Sequence, residues 1–117
     1  MAFIIAKRIS DSEGIDIFIK EPANFSAACE LTDTDTGEVF VLENGKLTIP
    51  ANDHLYKVVC TVSRVAEGGP PKLTMSFSQD GELLVLPGRA NPTQVGSYQP
   101  SIGEVYVMRF TMFMSIG

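Results

Sequence analysis

Polar and apolar residues alternate along most of this chain. In segment 25–32 apolar side chains occupy every second position, and segments 56–63 and 72–78 show the same period of two. Because successive side chains of a β-strand point to opposite faces, this pattern predicts strands with one buried and one exposed face. No window of about eleven residues keeps the 3.6-residue period of an amphipathic helix. The pattern therefore favours an all-β fold.

Turn signals separate these alternating segments. Asn44-Gly45 and Asp80-Gly81 are dipeptides typical of tight hairpin turns, and residues 33–37 form a further turn rich in Asp, Thr and Gly. Short strands with turns at such intervals are typical of a single-domain antiparallel β-sandwich or barrel, which we expect to span residues 1–117. About eight to nine strands are predicted, over residues 2–9, 15–19, 24–32, 38–42, 46–49, 54–65, 72–78, 82–86 and 104–115.

The segment 87–103 interrupts the strand pattern and predicts one long loop. It contains three prolines and three glycines, and loops of this length are uncommon in compact domains unless they serve a function or pack along the domain. One interpretation is a loop that packs along the edge of the sheet. The other is a recognition surface for a protein or carbohydrate, made by Arg89, Asn91, Gln94, Tyr98 and Gln99.

The last predicted strand is apolar on both faces. Residues with even numbers from Tyr106 to Met114 line one face, whereas Val105, Val107 and Phe113 line the other. Such a strand is either central between two layers or in contact with another subunit, because apolar surface at this density is rarely left in water. The first strand is similarly apolar. The interface hypothesis therefore names Phe3, Ile5, Tyr106, Met108, Phe110, Met112 and Met114.

Composition narrows the classes of partner. The chain has 117 residues, 44% of them hydrophobic, and its nine Lys and Arg against fourteen Asp and Glu give a formal net charge of −5. An acidic surface repels phosphate backbones and anionic lipids, which argues against nucleic-acid and membrane partners. The start of the chain lacks the basic segment and long apolar core of a signal peptide, so we expect synthesis in the cytoplasm without processing.

The two cysteines, Cys29 and Cys60, both lie within apolar alternations. Free cysteine is among the most buried residue types, so two buried, reduced thiols are expected. The alternative is a disulfide between facing strands, which would require an oxidising compartment.

Catalytic and metal-binding patterns are weak. His54 is the only histidine, and the adjacent Asp53 would point to the opposite face of a strand, so the two form no dyad. The sequence contains no nucleophile elbow and no phosphate-binding loop. We therefore expect neither an enzyme nor a cofactor.

A calcium site formed by Asp33, Asp35 and Glu38 is a weaker alternative to an ordinary turn, since alternating carboxylates before a glycine are typical of calcium loops.

These observations together favour a non-enzymatic structural protein. We expect a homo-oligomer or a larger protein assembly, and a virion component such as a capsid decoration or cement protein is the leading hypothesis. The alternative is a small soluble β-sandwich that binds a protein or carbohydrate partner through the loop at 87–103.

Overall fold

The structure, a computed structural model, describes residues 3–21, 23–67, 73–95 and 101–116. Strand is the only regular secondary structure in these ranges, and it accounts for 62% of the described residues. None of the described segments forms a helix that could cross a membrane. The strands are β1 (Phe3–Arg8), β2 (Ile15–Lys20), β3 (Phe25–Asp33), β4 (Val39–Val41), β5 (Lys46–Ile49), β6 (Leu55–Arg64), β7 (Leu73–Gln79), β8 (Glu82–Leu83), β9 (Thr93–Val95) and β10 (Val105–Ile116).

The ten strands form two sheets that pack into a β-sandwich. Sheet A has the order β1-β10-β6-β3-β4, and sheet B has the order β5-β2-β7-β8 with β9 also paired to β7. The predicted all-β class is confirmed, and of the two predicted architectures the structure adopts the sandwich. All pairs are antiparallel except β1 and β10, which run parallel. The strand β9 lies inside the segment that we predicted to be a continuous loop.

Both predicted tight turns are present, but only one closes a hairpin between paired strands; the predicted hairpin at Asn44-Gly45 is wrong, because that turn connects the two sheets. Asn44 and Asp80 adopt positive φ of 53° and 50°, and the glycine after each does the same, as tight two-residue turns require. Asp80-Gly81 joins β7 to β8 within sheet B. Asn44-Gly45, in contrast, leads from β4 in sheet A to β5 in sheet B. At the opposite edge of sheet A, the Lys7 amide donates to the Val85 carbonyl and links β1 to sheet B.

The core lies between the two sheets. It is filled by the inward side chains of both, among them Ile17 and Phe77 from sheet B and Leu31 and Tyr56 from sheet A, all fully buried. A fully buried side chain of this size contributes about 1.5–3 kcal/mol relative to its exposed state. The sequence alternation thus reports directly which residues stabilise the sandwich.

A disulfide joins Cys29 of β3 to Cys60 of β6. The register places these residues directly opposite each other, with Cα atoms 4.1 Å apart, and both are buried. The expectation of reduced thiols is therefore wrong, although the expected burial is confirmed. The cross-link connects the two neighbouring strands at the centre of sheet A.

Two buried polar side chains fix the loops at one end of the sandwich. The Arg8 guanidinium donates to the backbone carbonyls of Asn52 and Met114 and forms ion pairs of 2.8 Å with Asp11 and Asp53. Gln79, fully buried, accepts hydrogen bonds from the Ile9 and Ser10 amides and donates to the Ser10 and Glu13 carbonyls. Each side chain thereby satisfies backbone groups that would otherwise be buried without partners.

Candidate functional site

The two faces of β10 have different environments. Met108, Phe110, Met112 and Met114 point inward, and each is at most 7% exposed. The prediction that these four side chains lie at a subunit interface is therefore wrong, because they belong to the core between the two sheets. Tyr106 is half-buried and packs against the same core. The exposed face of β10 is the other one, which carries Val105, Val107 and Arg109.

The outer face of sheet A, defined here as the outward side chains of β1, β10, β6, β3 and β4, is rich in exposed apolar groups. The predicted interface residues Phe3 and Ile5 lie on it, and Phe3 is 48% exposed. Within the described ranges no second layer covers this face, so β10 is not enclosed on both sides. Its exposed large apolar residues are Phe3, Val39, Val41, Leu55, Val105 and Val107.

The outer face of sheet B is more polar, although it also carries the exposed apolar residues Phe18 and Leu83. The outward residues of β7 are Thr74, Ser76 and Ser78. Next to them, the Thr48 hydroxyl of β5 donates to the Asp16 carboxylate of β2 at 2.7 Å. Such a face is well solvated and resembles the exposed side of an ordinary antiparallel sheet. The contrast singles out the outer face of sheet A as the unusual surface of the molecule.

The outer face of sheet A carries four charged side chains, Lys7, Glu30, Lys57 and Arg109. The pairing register places Glu30, Val59 and Arg109 in one row across β3, β6 and β10. Lys57 lies in the next row, between Thr32 and Thr111. Neither Glu30 nor Arg109 forms an ion pair within the part of the chain that the structure describes.

Two shallow hollows flank Val59 on this face. One, of about 290 Å³, lies between β3, β4 and β6 and has Ala28, Glu30 and Val41 in its lining. The other, of about 330 Å³, lies between β6 and β10, where Lys57 and Arg109 border it. The small Ala28 side chain leaves room in the first hollow for a side chain from outside.

The structure describes three of the five residues predicted for loop recognition. Arg89 is exposed in a turn and Gln94 is exposed on β9. Asn91 is engaged within the fold, since its side-chain amide donates to the Phe77 and Leu84 carbonyls at 2.9 and 2.7 Å. Tyr98 and Gln99 lie outside the described residues.

The Asp33–Gly37 turn uses its first carboxylate to organise the protein itself. One oxygen of Asp33 accepts hydrogen bonds from the Asp35 and Thr36 amides, and the other lies 2.7 Å from Nδ1 of His54. Asp33 is thus occupied by donors rather than directed at a cation, and the described residues contain no cluster of three or more groups suited to a metal. The carboxylates predicted to bind calcium, those of Asp33, Asp35 and Glu38, therefore do not converge on a common point in the structure.

His54 forms a pair with Asp33 that sequence inspection missed. Its Nε2 atom also lies 3.5 Å from the Asp35 carboxylate, so both ring nitrogens face carboxylates. The hydrogen bond to Asp33 raises the pKa of the His54 imidazole above its usual 6.5 despite opposing desolvation. Desolvation alone would raise the pKa of the Asp33 carboxyl, but the hydrogen bonds from His54, Asp35 and Thr36 outweigh it and lower that pKa.

This arrangement stabilises a protonated imidazole. A general base needs a hydroxyl, thiol or water-facing position at its second nitrogen, and His54 presents that nitrogen to Asp35. Twenty-one residues separate Asp33 from His54 in sequence, and only the pairing of β3 with β6 brings them together.

Comparison of the chain with models of protein families, with curated proteins and with solved structures found no match.

Proposed function

We propose that this chain is a non-enzymatic building block of a protein assembly, in which the outer face of sheet A makes the contacts between subunits. The observation that carries the proposal is the exposed apolar surface on that face, where Phe3 and Val107 are 48% and 38% exposed. Exposed apolar side chains grouped on one face favour protein contacts, because leaving them in water is unfavourable.

The scaffold that presents this surface is rigid. Every outward side chain of the face belongs to a strand, and the Cys29–Cys60 disulfide links the two strands at its centre. A sandwich that positions a broad, weakly charged face suits a component of a shell, and a virion component such as a capsid decoration or cement protein remains the specific hypothesis. The exposed Arg89 and Gln94 alone give less support to the alternative of a loop-based binding module.

Sedimentation of an extract from the natural source tests this function. We expect the chain in fractions far heavier than its 12.7 kDa, detected by mass spectrometry of each fraction. Val107→Asp should move the chain to light fractions, because the change places a charge in the contact. Ser76→Asp is the matched control on the outer face of sheet B and should leave the profile unchanged. A wild-type chain found only in light fractions would contradict the proposal.

A further inference from the structure

We infer that the outer face of sheet A binds an acidic surface of a different protein, one that carries carboxylates among apolar side chains. This inference rests on the proposed function and names the chemistry of the partner. It is carried by the sign of the charges on the face, by the hollow that two of its cations border, and by the exposed apolar residues around them.

The charge of this face is opposite in sign to the charge of the chain. Lys7, Lys57 and Arg109 against Glu30 give the face a net charge of +2, and since the whole chain carries −5, the remaining residues carry −7. In the part of the chain that the structure describes, none of the three cations forms an ion pair. A partner with a complementary charge is therefore anionic on the side that meets this face.

Two of the cations border a place suited to a carboxylate. Lys57 lies opposite Thr111, and Arg109 lies opposite Val59, so the two cations are diagonal neighbours on β6 and β10, about 7–8 Å apart. Both border the hollow of about 330 Å³, and Thr111 contributes to the same lining. A carboxylate placed over this hollow is within reach of both cationic side chains, and hydrogen bonds between ionised groups are stronger than neutral ones.

The apolar residues near these cations favour a protein over a nucleic acid as the partner. Phe3 of β1 lies in the row of Lys57, and Val107 precedes Arg109 on the exposed side of β10. Affinity for a phosphate backbone grows with the number of phosphates that are neutralised, and this face offers three cations on a chain that is otherwise acidic. Burial of the apolar side chains against an apolar surface adds the stabilisation that so few charges do not supply.

The acidic region of the chain itself does not have the chemistry of this partner. Loops 9–14, 33–38 and 50–54 meet at one end of the sandwich and carry the exposed carboxylates of Asp11, Glu13, Asp35, Glu38 and Asp53. Among the residues of these three loops, all of which the structure describes, Ile9 is the only exposed large apolar one. The partner is therefore a different protein, and repulsion from the acidic end helps to orient the face of sheet A toward it.

Binding of synthetic amino-acid copolymers to the purified full chain tests the inference. A random copolymer of glutamate and tyrosine supplies carboxylates among apolar side chains, whereas polyglutamate supplies carboxylates alone. In calorimetry at low salt, the glutamate–tyrosine copolymer should bind at least about tenfold more tightly than polyglutamate. The backbone amide signals that shift in nuclear magnetic resonance spectra should belong to β1, β6 and β10.

Charge variants distinguish the sign of the partner from general disruption of the face. Lys57→Glu and Arg109→Glu should each weaken copolymer binding by at least about threefold. Thr61 is exposed on the same face of β6, so Thr61→Lys should tighten binding and Thr61→Glu should weaken it, with at least about a threefold difference between the two. Lys20→Glu makes an equal charge change on the outer face of sheet B and should change binding by less than about 1.5-fold. Circular dichroism checks that each variant is folded.

Four results would overturn the inference: a glutamate–tyrosine copolymer that does not bind, equal effects of Thr61→Lys and Thr61→Glu, a DNA duplex that binds this face more tightly than the copolymer, or self-association of the pure chain that Val107→Asp abolishes. The last of these would assign the face to a second copy.

The proposed function can fail separately from this inference. If the chain sediments with large particles in extracts, and Val107→Asp abolishes this but Lys57→Glu and Arg109→Glu do not, the acidic partner is refuted and the proposed function stands. If the chain binds the copolymer as expected but occurs only in light fractions, the proposed function alone is refuted.

Discussion

Single residues at one end of the sandwich form close contacts between oppositely charged groups. His54 links the turn after β3 to the start of β6 through Asp33, and Arg8 links β1 to the loop before β6. Each of these two cationic side chains lies between carboxylates. The carboxylates balance its charge, although the side chain is partly or fully buried. These contacts hold three loops in place around the end of the core.

The His54–Asp33 pair predicts a pH dependence of stability. A raised histidine pKa contributes stability that is complete below the unfolded value of about 6.5 and is lost as the pH rises through the folded value. A lowered aspartate pKa contributes stability that is present above about 3.8 and is lost as the pH falls through the folded value. The pair therefore stabilises the fold most between these two pH values.

Urea unfolding at about pH 5.5 and about pH 8.5 measures the histidine part of this effect. The urea midpoint of the wild type should decrease from the lower to the higher pH. We expect this decrease to be larger than the decrease for His54→Gln, since glutamine keeps a hydrogen-bond donor but does not titrate. The chain has no other histidine, and any contribution from the α-amino group cancels in the comparison. Equal pH dependence in the two proteins would show that the ion pair contributes nothing to stability.

At the scale of elements, the alternation of side chains predicted nearly all strands and, for three of them, the face that is buried. It predicted β3, β6 and β7 with the correct inward residues, because a period of two is a local property. Pairing between distant strands is not local. The parallel contact of β1 with β10, the change of sheet between β4 and β5, and the Asp33–His54 pair all depend on chain segments that meet only in the folded sandwich.

The apolar character of β10 shows the same limit within one strand. The sequence marked both faces as apolar but did not tell which one the core covers. Five residues from Tyr106 to Met114 formed the more apolar face and were assigned to the interface, yet that is the face against which sheet B packs. The less apolar face, interrupted by Arg109, is the one left exposed.

The disulfide between β3 and β6 predicts a stability that depends on redox state. It closes a loop with a sequence separation of 31 residues, for which restriction of the unfolded chain is worth about 3–4 kcal/mol. Protein prepared without reductant should show no free thiols when denatured, and a reductant should lower its free energy of unfolding by that amount. The variant C29A/C60A should be insensitive to reductant. Two titratable thiols in the denatured, unreduced protein would contradict the assignment.

For the whole molecule, the asymmetry between the two sheets separates folding from assembly. The outer face of sheet B is mostly Ser, Thr and charged residues with Phe18 and Leu83 exposed, whereas sheet A presents more apolar residues together with Lys7, Glu30, Lys57 and Arg109. If the inward side of β10 serves the fold and its outward side serves assembly, the same substitution placed on the two sides should affect different properties.

Met112→Asp and Val107→Asp form that matched pair. Met112 is fully buried, and an unpaired carboxylate there should cost about 4 kcal/mol or more, a large part of the 5–15 kcal/mol that stabilises a typical small domain. Val107 is 38% exposed, so its substitution should change the free energy of unfolding by less than about 1 kcal/mol. Denaturant unfolding of both variants measures this difference, and sedimentation of V107D then reports assembly in a protein that is still folded. If M112D unfolds at the wild-type midpoint, or V107D is destabilised as strongly as M112D, the division of β10 into a core face and an assembly face is wrong.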